Sequence, residues 1–253
     1  MIDLLWVTLA SGLAGFVDAI VGGGGLILLP TLFAIHPSAP PATLFGTNKV
    51  AAIGGTAWAC SQYARRVTMN WRTLLPAAAA ALLASLVGAW LVTQVPAAGL
   101  RKALPLVLLA VLLYTLWKKD LGCVHAPHLP PRREAVRGSM IGAAVGFYDG
   151  FFGPGTGSFF VFLLVRGLGY DFLHASAGAK LLNTATNLAA ITLFAAKGHV
   201  WWHIAAAMAV ANVIGSLLGA RLALRHGAGF VRVIFIAVVS LLIVRTGWDA
   251  LRL

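Results

Sequence analysis

The sequence predicts an all-α integral membrane protein built as two homologous halves, arranged as inverted repeats. Two observations carry the first part. Of 253 residues, 60% are hydrophobic and only 10% charged, against about 25% charged in an ordinary soluble domain; mean hydropathy is +0.88. A soluble helical protein would need polar helix faces that these residues do not supply. The third observation is a repeat. Asp18 and Asp149 stand 131 positions apart, and the same offset pairs Gly15 with Gly146, Gly22 with Gly153 and Gly24 with Gly155. It continues without a gap through Lys49 and Lys180, Trp71 and Trp202, Ser85 and Ser216, Gly88 and Gly219, Arg101 and Arg232, and Trp117 and Trp248. Apolar sequence yields chance matches of Ala and Leu, but not of Asp, Lys and Trp in one register.

The halves are residues 1–118 and 136–253, joined by a polar, proline-containing linker at 119–135. Each half offers five apolar segments: 4–20, 24–36, 42–64, 73–95 and 99–117, then 136–152, 154–167, 172–196, 201–222 and 228–248. A full crossing takes about 20 apolar residues. The second segment of each half is too short, and glycines separate it from the first, which predicts a broken or re-entrant hairpin. Irregular backbone of that kind is tolerated at membrane depth only where protein or a water-filled cavity surrounds it. The N-terminus lacks the basic region of a signal peptide, so residues 4–20 read as a retained membrane segment.

Charge sets the orientation. The net charge is +12, and most basic residues cluster between apolar runs, as positive-inside loops do, rather than forming a nucleic-acid surface. In half one, Arg65, Arg66 and Arg72 follow segment three, and Lys118, Lys119, Arg132 and Arg133 flank or occupy the linker, which is therefore placed in the cytoplasm. In half two the positive group has moved one crossing on, to Arg221, Arg225 and Arg232. Equivalent loops then lie on opposite faces, a frequent plan in secondary transporters. Arg101 and Lys102 sit on the outer side in this scheme and run against it. Trp71, Trp117, Trp201, Trp202 and Trp248 mark segment ends, where aromatic belts form. Gly88, Ala89, Gly219 and Ala220 let helices approach closely, and Ser85 and Ser216 are placed to bond neighbouring helices.

Sorting the ionisable groups isolates the chemistry. Asp18 and Asp149 are the acids inside apolar segments, and Lys49 and Lys180 are the clear intramembrane bases. A charge at mid-bilayer costs roughly 2.5–3.5 kcal/mol even on the lenient insertion scale. The aspartates can cap the broken helices, bridge to the lysines, or carry a proton during a transport cycle. The lysines can bridge to those aspartates or hold an anion. The turns VGGGGL, with Gly23, Gly24 and Gly25, and GPGTGS, with Gly155 and Thr156, free backbone N–H groups near helix starts, which suits an anion. Lys180, Asn183 and Asn187 share one helix face, with Thr184 beside them. In half one their counterparts are Lys49, Ala52 and Thr56, with Thr47 and Asn48 just before. Two lysines with amide and hydroxyl donors suit a small oxyanion.

Enzyme chemistry is disfavoured: no HExxH or GxSxG motif occurs, and the seven histidines are scattered over loops and segment ends without a clustered His–acid set. Cys60 and Cys123 offer neither a disulfide framework nor metal-ligand spacing. No cofactor, metal or nucleic-acid partner is expected; the bilayer and a small anion are, and self-association is left open.

The stretches GFVDAIVGGGGLILLP, GTNKVAA, GFYDGFFGPGTGSF and AKLLNTATNLAAITLF resemble the paired motifs of the TauE/SafE sulfite exporter family, in the toluene-sulfonate uptake permease superfamily. The likeness covers essentially the whole chain and is strongest to the YfcA-type branch of probable membrane transporters. It implies a multi-pass carrier in a bacterial inner membrane for sulfur-containing anions such as sulfite, sulfonates or sulfoacetate. An exporter is the reading favoured, because a negative cell interior assists anion exit by about 2.3 kcal/mol per charge per 100 mV. A channel for small anions or neutral solutes is the alternative.

Overall fold

The computed structural model describes residues 2–36, 38–94, 122 and 124–251. Apolar sequence without strand periodicity forms helices throughout, because a helix satisfies its own backbone. Among the described residues there are eight: α1 (Ile2–Val21), α2 (Gly25–Ile35), α3 (Pro41–Ala64), α4 (Trp71–Val92), α5 (Pro131–Phe151), α6 (Thr156–Leu168), α7 (Phe172–Ala196) and α8 (Trp202–Leu251). The register of the repeat carries over: α1 to α4 correspond in order to α5 to α8. Segment five of half one, with Arg101, Lys102, Trp117, Lys118 and Lys119, lies outside the described residues, as does the side chain of Trp248.

Three stretches have the length and hydropathy of membrane spans: Asp3–Val21, Trp71–Val92 and Trp202–Val238. Helices α3 and α7 are long enough, at 24 and 25 residues, but their Gly, Thr, Asn and Lys content dilutes their hydropathy. Apart from the exposed Thr192, those residues are buried or half-buried, whereas the exterior is apolar. Leu83 and Ile214, which are repeat mates, are 63% and 55% exposed, and Trp71 and Trp202, at the starts of α4 and α8, are also exposed. This is the inside-out distribution expected of a lipid-facing surface. Segments four and five of half two are two helical stretches of α8 that meet at a sharp break, Gly227, whose φ of 74° and ψ of −166° are not helical. Arg221 and Arg225 therefore lie on helix beside that break.

The halves are interlocked rather than laid side by side. The first helix of each packs along the fourth helix of the other, α1 on α8 and α5 on α4, and among the described residues these are the two largest helix contacts. Glycines make them possible. Down the α4–α5 seam, Gly138 faces Thr73, Gly142 faces Ala77, Gly146 faces Ala81 and Gly150 faces Ser85. A Cβ at Gly142, Gly146 or Gly150 would overlap the opposing main chain. Both numbers rise together, so α4 and α5 run in the same direction. The α1–α8 seam repeats this, with Gly15 against Asn212 and Gly219 against Phe16, as Gly146 meets Ala81 and Gly88 meets Phe147. Such small-residue contacts bring backbones close where burial against lipid offers no driving force. Ser85 and Ser216 add hydrogen bonds to the Thr186 and Gly15 carbonyls, each 3.1 Å. Helices α3 and α7 pack against each other inside this frame.

Both ends of the bundle tie the halves together. At one, Asn70 and Tyr170 both bond Glu134 (3.1 and 2.6 Å), near the exposed Arg65, Arg66, Arg132 and Arg133. At the other, Thr47 accepts from the Trp201 N–H at 3.0 Å, His36 stacks edge-on against Trp201, and Lys197 bonds Thr93 at 2.8 Å.

Candidate functional site

The glycine turns place the site. Gly22 and Gly23 have φ of 79° and 95°, and Gly153 and Gly155 have 88° and 84°, a left-handed region that costs other residues a Cβ clash. The first turn folds the chain back so that Gly24 packs on Ala14 and Asp18, and α2 returns along α1, burying Leu28 and Leu32 with Val7 and Ala14. The two turns then meet. Gly22 and Gly157 touch backbone to backbone, Leu26 covers Gly155, and a Cβ on Gly25 would stand 3.8 Å from the Pro154 Cα. The N-terminal ends of the short helices α2 and α6 thus come together with their partial positive charges.

The four charges singled out in the apolar segments converge at this meeting, paired across the halves. Lys49 Nζ lies 2.5 Å from Asp149 Oδ2, and Lys180 Nζ lies 3.0 Å from Asp18 Oδ2. The pairs are repeat mates of each other. All four residues are buried, Lys180 completely, so each charge depends on its partner: an isolated ion here would carry a desolvation penalty of several kcal/mol.

The pairs differ in what surrounds them. An α-helix leaves its last four carbonyls without intrahelical donors. In α1 other elements supply donors to all four. Asp18 O accepts from Gly22 N–H and from Lys180 Nζ; Ala19 O accepts from Tyr63 Oη at 2.9 Å; Ile20 O from Ser176 Oγ at 2.9 Å; Val21 O from Ser158 Oγ at 3.4 Å. The Asp18 carboxylate also accepts from Gly24 N–H at 3.4 Å. A lysine cation at a helix C-terminus is favourable in its own right, and it offsets a carboxylate that the nearby carbonyls would otherwise repel. The repeat mates of the three hydroxyl donors are Phe194, Phe45 and Ile27, which donate nothing. Around Asp149 the environment is instead aromatic, with Phe45 edge-on to Phe152 and Tyr148 edge-on to Phe152 and Phe159. Tyr148, which stands next to Asp149 in the chain and could have shared its proton, donates to the Pro154 carbonyl at 2.6 Å.

The remaining residues singled out in the sequence divide. Asn48 is buried at 6% exposure with Oδ1 unpartnered, and its amide nitrogen lies near Gly25. Lys49 Nζ lies beside Gly153, 3.5 Å from where its Cβ would be. Asn183 and Asn187 are buried; the hydroxyl of Thr186 bonds the Asn183 carbonyl at 3.0 Å. Thr184 turns back to the Lys180 carbonyl, Thr156 to the Gly153 carbonyl (2.7 Å each), and Thr47 to the Thr43 carbonyl (2.7 Å) besides bonding Trp201. Gly23 and Gly155 serve the turns with their carbonyls, accepting from Leu26 and Phe159. Sequence reasoning missed Tyr63, Ser158 and Ser176. The only signal for them is that each is polar where its repeat mate is apolar.

A helical membrane protein with interlocked halves, broken helices and paired interior charges belongs to the class of membrane transporters. The comparison with known proteins narrows the class: the sulfite exporter TauE/SafE family matches residues 7–246, and the chain belongs to it. A probable membrane transporter protein of Haemophilus influenzae is 36% identical over 91% of this chain and 89% of its own length. The probable membrane transporter protein YfcA of Escherichia coli K12 is 36% identical over 94% of this chain and 87% of its own. The probable membrane transporter protein ORF9 of a Sinorhizobium species is 35% identical over 96% and 91%. No solved structure matches the chain significantly.

Proposed function

We propose that the protein is a secondary transporter that exports small sulfur-containing oxyanions of the sulfite or sulfonate class across a bacterial inner membrane. The substrate class is suggested by the name of the family. The observation that carries the reading is the convergence of the Lys49–Asp149 and Lys180–Asp18 pairs on the place where the N-termini of α2 and α6 meet.

The halves are inverted-topology repeats in this account. Helix α1 reverses at the glycine turn into α2, and short connections reverse the chain again into α3 and α4, so α4 opposes α1. The parallel α4–α5 seam supports an α5 opposed to its repeat mate α1. The turns then meet between two half-length helices that lead to opposite faces, the arrangement in which broken helices offer free backbone groups to a substrate at mid-depth. The end with Arg65, Arg66, Arg132 and Arg133 is cytoplasmic by the positive-inside rule.

The two pairs divide the work. Lys180–Asp18 is built into the capped end of α1 and holds the first turn open. Lys49–Asp149 lacks such capping and is the working pair. The anion meets the Lys49 ammonium, the Asn48 amide and the N–H groups of the turns around Gly25 and Gly155, with Asn183 and Asn187 lining α7. An anion that takes Lys49 leaves Asp149 without its counter-charge, and a lone buried carboxylate is costly. Asp149 therefore takes up a proton as the anion binds. A dianion carried with one proton still leaves the cell with net negative charge, so the membrane potential assists export.

Thermal stability of the purified protein across a panel of sulfite, thiosulfate, sulfonates and carboxylates tests the reading. A ligand at 100 times its Kd adds about 2.7 kcal/mol of stability. Stabilisation by a sulfur oxyanion, stronger at lower pH in wild type and pH-independent in Asp149→Asn, is expected. Stabilisation by carboxylates alone would reject the substrate class, and no ligand effect that depends on Lys49 would reject the site.

A further inference from the structure

Outside the charged centre, the fold assembles a group of ligating side chains that chain spacing hides. His125 lies in the linker, while Asp171 and His174 lie at the start of α7. One donor atom from each comes within 4.8 Å of the others. The expectation that the chain holds no clustered His–acid set is thus corrected: the linker folds onto the α6–α7 turn, with Ala126 N–H on the Gly169 carbonyl and Phe172 N–H on the Gly122 carbonyl, both 2.9 Å. This brings the His125 and His174 rings into a stack, 3.8 Å between centroids.

We propose that His125, Asp171 and His174 form a binding site for a divalent transition-metal ion of the zinc type, independent of the transport reading. Two imidazoles and a carboxylate are the donor set that such borderline ions take, and three protein ligands leave a fourth position for water. Tetrahedral zinc with bonds of about 2.0–2.2 Å holds its donors roughly 3.3 Å apart. Closing from 4.8 Å asks for a small shift of His125, which is exposed on a connecting segment, while Asp171 and His174 stay anchored by their helix.

Two further features favour a ligand over a simple helix cap. The Asp171 carboxylate accepts from both the backbone N–H and the Nδ1 of His174, at 2.7 and 2.8 Å. The Asp171 carboxylate and the His174 Nδ1 thus already face each other at close to the separation of two zinc ligands, and an ion bound between them takes the place of the Nδ1 proton. A second carboxylate, Glu134, stands behind the group, buried and held by Tyr170 and Asn70, with the Tyr170 ring 5.1 Å from that of His125. The repeat also argues that the cluster is not a structural necessity. The counterparts of Asp171 and His174 are Pro40 and Thr43, and α3 starts after Pro40 with no side-chain cap. An ion here would fasten the linker between the halves to the α6–α7 turn.

Zinc binding to the purified, tag-free full chain tests this by titration against a chromophoric chelator. His125→Ala and Asp171→Asn are the test variants. The exposed His226→Ala, beside the Gly227 break in α8, is the control. Saturation at one ion per chain is expected in wild type and control, unaffected by excess magnesium, with affinity about tenfold or more weaker in His125→Ala. Because His125 is exposed and caps no helix, its variant keeps the fold, and a folded His125→Ala read by circular dichroism is the decisive sample. The proposal is overturned by an absence of saturable binding in wild type, by displacement with magnesium, or by less than tenfold weakening in folded His125→Ala.

Discussion

Lys180 reaches from the second half of the chain to Asp18 in the first, bonding both its carboxylate, at 3.0 Å, and its main-chain carbonyl. The contact couples three levels of the structure at once. It neutralises a buried acid, closes the end of α1, and fixes the turn from which α2 starts. Its repeat mate, Lys49 on Asp149, does the first of these without the hydroxyl caps around it.

Removing one member of the Lys180–Asp18 pair strands the other. Lys180→Met is expected to destabilise the protein by roughly 3–5 kcal/mol, and the double variant Lys180→Met with Asp18→Leu to recover much of that loss. Thermal unfolding in detergent reads both. A double variant no better than the single would mean that the lysine acts through the α1 carbonyl rather than through charge.

The carbonyl caps of α1 can be removed one at a time. Tyr63→Phe and Ser176→Ala each delete a buried donor at 2.9 Å, and each is expected to cost about 1–3 kcal/mol, the penalty for an unsatisfied buried acceptor. The same measurement on Phe194→Leu, at the position equivalent to Tyr63, should show packing loss without change at the α1 turn. Hydrogen exchange of Gly22 to Gly25 separates the two: faster exchange is expected in the cap variants only.

The glycine seams predict a positional contrast. Gly142→Ala and Gly150→Ala force a methyl into the α4 backbone and are expected to cost about 1–3 kcal/mol. Gly229→Ala, with nothing within 4 Å of the new methyl, should be neutral or stabilising by up to about 1 kcal/mol, since alanine is the better helix former. Equal losses at all three would show that the seams are looser than the contacts imply.

The repeat, the glycine-broken helices and the four interior charges were legible in the sequence because each breaks the rules of lipid-facing helix in matching positions. The crossed pairing of Lys49 with Asp149 and Lys180 with Asp18 was not: a symmetric sequence permits pairing within a half as readily as between halves, and the interlocking of α1 with α8 and α5 with α4 decides it. Ser158, Ser176 and Tyr63 escaped notice because single hydroxyls in apolar helices usually bond their own backbone, as Thr184 does here. The boundary between segments four and five of half two was legible in Arg225, His226 and Gly227, and the chain breaks there at Gly227. His125, Asp171 and His174 are brought together by the path of the linker, which no local pattern encodes.

The central claim is that Lys49 and Asp149 form the working pair of an anion carrier. Its most direct test is radiolabelled sulfite flux in proteoliposomes containing wild type, Lys49→Met or Asp149→Asn. The account predicts saturable wild-type flux accelerated by unlabelled anion on the opposite side, and loss of that flux in Lys49→Met. Asp149→Asn should keep downhill exchange while losing the response to an imposed pH gradient. Non-saturating conductance in wild type, or wild-type flux and pH response in both variants, would contradict it.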